Sequence, residues 1–149
     1  MEPPPALQGS DEQHLLRAVQ LAQKARDLGE APFGSLLVNR VGVILMEAHN
    51  TVLSTRDISA HPEFKIAQWV AREMSRSAAA ETSMFTSCQP CAMCSDAIDR
   101  SGIGRVIYAL SGEQLHLLRG TAGYVKVPQH GPYMPEVAAN PVRDYYNSK

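Results

Sequence analysis

The sequence predicts one α/β domain built around a mixed β-sheet. The chain has 149 residues, a length that suits a single compact domain, and its 44% apolar and 19% charged residues are ordinary for a globular protein. Hydrophobic patterning gives the element order helix, strand, strand, helix, strand, helix, strand. Consecutive strands form an antiparallel hairpin, whereas strands separated by a helix form parallel crossovers. Both strand directions are therefore expected in one sheet.

The first predicted elements are a helix and a hairpin. Residues 10–13 have the form of a capping box, in which Ser10 is the N-cap and Gln13 reaches back to it. Apolar residues follow at three- and four-residue spacing, and Gly29 is expected to end the helix. Two β-rich runs at 33–39 and 43–49 then predict a hairpin.

The middle of the chain predicts two helices around a strand. A polar loop over 50–60 leads to a second helix, predicted over 62–74. A third strand is predicted over 82–87, followed by a third helix over 90–100 that Gly102 closes.

The last part of the chain predicts a fourth strand and shorter elements. Residues 105–110 are mostly apolar, so this strand is predicted to be buried on both faces. A short helix is predicted over 113–119 and a fifth strand over 124–127. Pro141 is expected to interrupt a final helical stretch.

Composition and charge exclude several classes of protein. A loose Pro-rich leader over 1–9 precedes one domain over 10–149. No window approaches eighteen uninterrupted apolar residues, and the leader lacks the basic and apolar regions of a signal peptide, so no membrane association is expected. Lys and Arg number 14 against 15 Asp and Glu, which gives a net charge of −1. This balance gives no electrostatic argument for polyanion binding, so a nucleic-acid partner is not expected.

All three cysteines lie within seven residues, at Cys88, Cys91 and Cys94. A secreted disulfide framework has an even number of cysteines spread along the chain. An odd, clustered set is instead typical of metal or redox chemistry in a reducing compartment. We therefore predict a cytoplasmic protein.

His61, Pro62 and Glu63 open the second predicted helix. Proline suits the first helical position and keeps the residue before it out of the helical conformation. His61 is therefore the predicted N-cap, with its side chain at the helix mouth. Glu63 lies two residues further on, so it can converge with His61 only beyond the helix end.

The third predicted helix opens with a second proline motif. Gln89 is its predicted N-cap, Pro90 its first residue, and Cys91 lies just inside. Cys91 and Cys94 are three residues apart and share one face. The partial positive charge of a helix N-terminus stabilises each thiolate by roughly 0.3–1 kcal/mol and lowers its pKa.

One imidazole and two thiolates are the ligands of a catalytic zinc ion that leaves a fourth position for water. Two thiolates cancel the charge of Zn²⁺, so a general base is needed nearby, and Glu63 supplies a carboxylate. Cys88 leaves a second interpretation open, in which it joins His61, Cys91 and Cys94 in a closed Cys₃His structural site. Its position at the end of a predicted strand favours a small buried residue instead.

These motifs resemble the H-x-E…P-C-x-x-C signature of the zinc-dependent cytidine and nucleobase deaminase superfamily. The resemblance extends over about residues 10–115. It includes the Pro-x-Gly-Ser turn at 32–35, the approach to the histidine at 57–61, and the strand at 105–109. The chain departs from the usual pattern at Pro62, Gln89 and Asp96, which stand where Ala, Glu and a small residue are common.

The resemblance implies a three-layer α/β/α fold with a mixed five-stranded sheet. It also implies that an exocyclic amine on an aromatic ring is replaced by oxygen, with release of ammonia. By resemblance, His61, Cys91 and Cys94 bind Zn²⁺. Glu63 moves a proton from water to the ring nitrogen and then to the leaving amine.

The resemblance also implies substrate contacts and a quaternary state. Asn50 would hydrogen-bond the base, the backbone N–H of Ala60 would assist, and Phe33 would give an apolar contact to the ring. Relatives are commonly homodimers, so a homodimer is expected here.

Three functions are compatible with these residues. The first is an aminohydrolase acting on a small heterocyclic amine, a cytosine- or guanine-like nucleobase or nucleoside. The second is a tRNA adenosine deaminase, which needs phosphate contacts. The last twenty-five residues disfavour it, because Lys126, Arg143 and Lys149 are opposed by Glu136 and Asp144. The third is a non-catalytic Cys₃His zinc module, in which Glu63 would have no use.

Overall fold

The computed structural model describes residues 2–120 and 124–148, and its order of elements follows the prediction. Short helical turns are added around the main helices and strands. The elements are α1 (Asp11–Asp27), β1 (Gly34–Val38), β2 (Ile44–His49), α2 (Val52–Thr55), α3 (Pro62–Glu73), α4 (Arg76–Ala79), β3 (Ser83–Cys88), α5 (Ala92–Ser101), β4 (Arg105–Leu110), α6 (Gly112–Arg119) and α7 (Pro135–Asn147).

The sheet has four strands in the order β2-β1-β3-β4. β1 runs antiparallel to β2 and to β3, while β3 and β4 are parallel, so the predicted mixed sheet is confirmed. The predicted fifth strand over 124–127 is wrong, because these residues form no strand. Tyr124, Val125 and Val127 are almost fully exposed, and a β-rich run without a partner edge or a face to bury does not form a strand.

Helices cover both faces of the sheet and confirm the three-layer architecture. α1 packs against Leu36, Val38 and Phe85 on one face. α3 and α5 pack on the other face, against Leu37 and Met84. β1 and β3 lie at the centre of these layers and are buried along their whole length.

β4 differs from its prediction. Arg105, Tyr108 and Ala109 on β4 are exposed, so its predicted burial on both faces is wrong. The physical reason is its place in the strand order, because β4 forms an edge of the sheet and the helices cover it only in part.

The helix ends follow local rules in some places and depart from them in others. Gly102 ends α5 with a φ of 89°, as predicted for a residue that must adopt the left-handed conformation. The capping box predicted at Ser10 is wrong, because its φ and ψ of −88° and 9° place the side chain where it makes no cap hydrogen bond. A capping box forms instead between Ser111 and Gln114 at the start of α6. α7 continues through Pro141, which does not interrupt it.

Among residues 2–120 and 124–148, no helix combines the length and the hydropathy that crossing a bilayer requires.

Candidate metal centre

His61, Cys91 and Cys94 bring three metal-ligand atoms together at the N-terminal ends of α3 and α5. His61 is the N-cap of α3, with extended backbone angles, and Pro62 is the first residue of that helix. The Nδ1 atom of His61 lies 3.4 Å from Cys94 Sγ and 3.7 Å from Cys91 Sγ. All three ligand atoms lie within 4.8 Å of one another.

The spacing of these donors fits a tetrahedral zinc ion. With Zn–S near 2.3 Å and Zn–N near 2.0–2.1 Å, a tetrahedral site separates nitrogen from sulfur by about 3.6 Å. The two observed nitrogen–sulfur distances, 3.4 and 3.7 Å, bracket that value. One imidazole and two thiols therefore form a donor set with the chemistry and the size that zinc requires, and they leave one coordination position open.

The two cysteines reach this cluster from a helix that begins later than predicted. α5 starts at Ala92, so Cys91 is its N-cap, and the predicted N-cap at Gln89 is wrong. Gln89 is held elsewhere, because its N–H donates to Leu110 O at 2.7 Å and its side-chain oxygen accepts the Gly112 N–H at 2.9 Å. An N-cap residue and the residue three positions later still share one side of the helix opening.

The two thiols have opposite pKa shifts. Hydrogen bonds with Cys94 and His61 lower the pKa of Cys91. The contact with Cys91, together with burial, raises the pKa of Cys94. The hydrogen bond between His61 and Cys91 raises the pKa of His61. A first thiolate therefore forms readily beside the imidazole, and a divalent cation would stabilise the second, because ligand thiols bind metals in their deprotonated form.

Glu63 places a buried carboxylate beside the cluster. It lies in the first turn of α3 and is only 6% exposed. Ser35 Oγ lies 3.4 Å from Glu63 Oε1 and 2.7 Å from Thr86 Oγ1, so one hydroxyl from β1 links this carboxylate to β3. Burial raises the pKa of Glu63. A carboxylate whose pKa is shifted towards neutrality is suited to accept and return a proton.

Cys88 lies outside the group of metal-ligand atoms. It is the last residue of β3, is buried, and pairs in register with Leu110 of β4. Burial raises the pKa of its thiol, which opposes formation of a thiolate ligand. The geometry therefore supports the interpretation of Cys88 as a buried strand residue over the Cys₃His alternative.

Asn50 lies directly after β2, next to the opening of α3. It is 3% exposed, and its N–H donates to Phe33 O at 3.0 Å. Its Oδ1 accepts the Val52 N–H at 2.8 Å, which identifies the oxygen of the amide, because only that atom can accept. The Nδ2 group of Asn50 donates to no residue within the described part of the chain. It is not among the buried polar atoms that lack a partner, so it remains accessible to solvent.

The other two predicted substrate contacts differ in their availability. Phe33 is partly buried at the entry to β1. The Ala60 N–H donates to Asp57 O at 3.0 Å, so it is already used within the loop that leads to His61. The contact of this N–H with a substrate stays a prediction.

Two charged residues near Asn50 were missed by reasoning from the sequence. The Glu30 carboxylate accepts the N–H groups of Leu53 and Ser54, and Lys65 donates to His49 O and to Thr51 Oγ1. These contacts join residues 14 to 24 positions apart, which no local periodicity reveals. For Glu30, the signal in the sequence is an acidic residue two positions before the 32–35 turn.

The sequence is similar to a family of zinc-binding deaminases and to individual members of it. A family model described as the cytidine and deoxycytidylate deaminase zinc-binding region matches residues 8–110. The chain is 36% identical over 117 residues to a probable cytosine deaminase of Schizosaccharomyces pombe, an alignment that covers 78% of this chain and 70% of the relative. It is 32% identical over 101 residues to a tRNA-specific adenosine deaminase of Haemophilus influenzae, covering 68% and 58% of the two chains.

A solved structure shows the same fold over nearly the whole chain. The crystal structure of guanine deaminase from Bacillus subtilis aligns with a TM-score of 0.73 at 26% sequence identity. The alignment covers 91% of this chain and 93% of that one.

Proposed function

The chain belongs to the family of the cytidine and deoxycytidylate deaminase zinc-binding region, and we propose that its substrate is a free nucleobase or a closely related aminated heterocycle. As a member of this family it is a zinc-dependent hydrolase of C–N bonds. The observation that carries the proposal is the convergence of His61, Cys91 and Cys94 at two helix openings beside the buried carboxylate of Glu63.

The proposed reaction exchanges an amine for oxygen. We assign His61, Cys91 and Cys94 as the zinc ligands. A zinc ion held by these residues would supply a nucleophile at neutral pH by lowering the pKa of water. Glu63 would accept one proton from the attacking water and deliver it to the ring nitrogen. It would then take the second proton from the hydroxyl now bonded to the ring carbon and give it to the departing amine. One water is consumed, one ammonia is released, and the ring carbon ends as a carbonyl.

Asn50 is assigned to hold the heterocycle. Because the Val52 N–H occupies its Oδ1, its Nδ2 hydrogens are the groups that can donate to an acceptor on the ring. Phe33 is assigned as an apolar contact at the edge of the same site. Together they would orient the amine-bearing carbon towards Glu63 and the zinc ligands.

The comparisons favour cytosine-like and guanine-like bases, since relatives carry the names cytosine deaminase and guanine deaminase. Ammonia release should be measured with cytosine, guanine, adenine and the corresponding nucleosides, using zinc-loaded protein. We expect turnover of at least one free base, ahead of its nucleoside. Absence of ammonia from every base and nucleoside would overturn the proposal.

A tRNA adenosine deaminase is the second candidate, favoured by the similarity to the Haemophilus influenzae enzyme. Its substrate needs cationic contacts to phosphates. In the described tail, Lys126 and Arg143 are opposed by Glu136 and Asp144, and Lys149 lies outside the described residues. Deamination of an anticodon stem-loop, without turnover of any free base or nucleoside, would establish this candidate instead.

We also propose a homodimer. Val137, Val142, Tyr145 and Tyr146 of α7 are each more than half exposed, and apolar surface of this kind is typical of protein interfaces. Light scattering should give a mass near twice the 16.3 kDa of the chain. A mass of one chain would contradict the proposal.

Two organisational proposals complete this picture. Residues 10–149 are proposed to form one domain after the 1–9 leader, and limited proteolysis should remove the leader alone. A cytoplasmic location is proposed because the cysteines of the zinc site, which are free in the structure, must stay reduced to bind metal. Fractionation of cells that express the chain tests it, and recovery from the secreted fraction would contradict it.

A further inference from the structure

A buried carboxylate holds the short turn that follows Asn50. Glu30 is only 8% exposed, and its two oxygens accept the Leu53 N–H at 2.9 Å and the Ser54 N–H at 2.8 Å. The Ser54 side chain and these backbone groups lower the pKa of Glu30, so it is ionised at neutral pH. Hydrogen bonds to an ionised acceptor are stronger than those between neutral groups.

A partly buried amine holds the same segment from the side of α3. Lys65 lies one turn after His61, and its Nζ donates to His49 O at 2.9 Å and to Thr51 Oγ1 at 2.7 Å. Burial lowers the pKa of Lys65, and the negative charges of Glu30 and Asp57 partly oppose this shift. The segment around Asn50 is thus fixed at its beginning by a cation and at its end by an anion.

This arrangement does little for the core. α2 contributes no buried residue, and Leu53 at its start is 67% exposed. Burying an ionised carboxylate is costly unless its hydrogen bonds compensate, and here they are made to two amides of an exposed turn. The group that this turn orients directly is Asn50, whose Oδ1 accepts the N–H of Val52, the first residue of α2.

We propose that Glu30 is a positioning residue for substrate recognition, which fixes the turn over Val52–Thr55 and thereby the direction of the Asn50 amide. The inference rests on the proposed function, because that function assigns Asn50 to the base. Without Glu30, the Val52 N–H and the Asn50 side chain would sample other orientations, and the substrate would bind in a poorer geometry.

Glu30→Gln tests the proposal with little change in shape. Gln retains one oxygen for one amide but presents an NH₂ group to the other, so the two N–H groups can no longer both be satisfied. With zinc-loaded protein and the base that the wild type deaminates best, we expect kcat/KM to fall by about 10–100-fold, mainly through KM, because small misplacements in an active site have effects on this scale. Zinc content should be unchanged.

Glu47→Gln is the matched control. Glu47 also accepts two N–H groups, from Arg17 Nε at 2.6 Å and Nη2 at 2.9 Å, but it lies on the outer strand β2. Its loss should leave kcat/KM unchanged. An equal fall in both variants would show a general effect of stability and would overturn the proposal.

Two further measurements separate positioning from the catalytic assignment. In an Asn50→Ala background, Glu30→Gln should have little additional effect on kcat/KM, whereas full additivity would refute action through Asn50. Hydrogen exchange at Leu53 and Ser54 should accelerate in Glu30→Gln and stay unchanged in Glu47→Gln. Hydrogen exchange requires no substrate, so it tests whether Glu30 fixes this turn even if no base is turned over. Unchanged exchange at these amides would overturn the proposal.

Discussion

Replacing Glu63 by Gln is expected to abolish most of the activity without disturbing the fold. Gln has the same length and keeps a carbonyl oxygen that can accept the Ser35 hydroxyl, 3.4 Å away. An amide has no basicity at neutral pH and cannot accept a proton from water. The residues assigned as zinc ligands, His61, Cys91 and Cys94, are untouched, so the metal should remain bound.

The expected loss follows from the role assigned to Glu63. Acid–base catalysis by one positioned side chain contributes about 10²–10⁴-fold to the rate, which corresponds to about 2.7–5.4 kcal/mol of activation free energy. Because Glu63 is assigned two proton transfers, we expect a loss in the upper part of that range. Most of the loss should appear in kcat, since substrate contacts from Asn50 are retained.

The same variant carries a prediction about pH and stability. Burial raises the pKa of Glu63 in the native state above its unfolded value. The stability contributed by the neutral carboxyl is then fully present below the unfolded pKa, about 4.3, and is lost as pH rises through the native pKa. Zinc-free Glu63→Gln should therefore have a higher Tm than zinc-free wild type at neutral pH, and the difference should shrink as the pH is lowered.

Three measurements on one preparation of each protein test the catalytic role of Glu63 and the cost of burying its carboxylate. Zinc content comes from mass spectrometry, kcat and KM from ammonia release, and Tm from calorimetry at several pH values after chelation. A near-normal kcat with zinc bound would remove Glu63 from the mechanism. A lower Tm for the zinc-free variant at neutral pH would refute the argument from burial.

The remaining predictions concern metal, packing and salt. Zinc should be lost in Cys91→Ser and Cys94→Ser but stay near one per chain in Cys88→Ser, measured by mass spectrometry; loss in Cys88→Ser would indicate a Cys₃His site. Gly34→Ala should lower the free energy of unfolding in urea by about 1–3 kcal/mol. Its new Cβ would lie 2.5 Å from backbone atoms of α1, and an unchanged midpoint would contradict that close packing. Activity on the preferred substrate should change little between about 50 and 200 mM salt, whereas a loss of affinity on the order of 10³-fold would indicate a substrate held through its phosphates.

The two helix openings show how far local sequence rules extend. Pro62 fixes the start of α3, so the N-cap position of His61 follows from two residues alone. The same rule fails at Pro90, because the residue before it is held by Leu110 O and the Gly112 N–H. The hydrogen bond to β4 thus keeps the chain extended at Gln89, and α5 begins only after Pro90. No local sequence pattern predicts that contact.

Several elements and contacts that depend on distant partners could not be predicted. The apolar run at 105–110 correctly predicted a strand. Its burial could not be predicted, because it depends on whether the strand lies at the centre or at an edge of the sheet. The run at 124–127 has strand composition and no partner, so composition alone was misleading. Glu30 and Lys65 act on a turn far along the chain, and their importance emerges only when β1, β2 and α3 are assembled.

The central strand β3 lies in the chain between the two halves of the metal cluster. His61 precedes it, Cys91 and Cys94 follow it, and its pairing with β1 brings Ser35 to Thr86 across 51 positions of sequence. Pairings between segments so far apart form slowly, because the entropy of closing the intervening loop is lost before the contact is gained. We therefore expect the three assigned zinc ligands to come together late in folding. The rate at which refolding protein captures zinc should then report the time at which β3 enters the sheet.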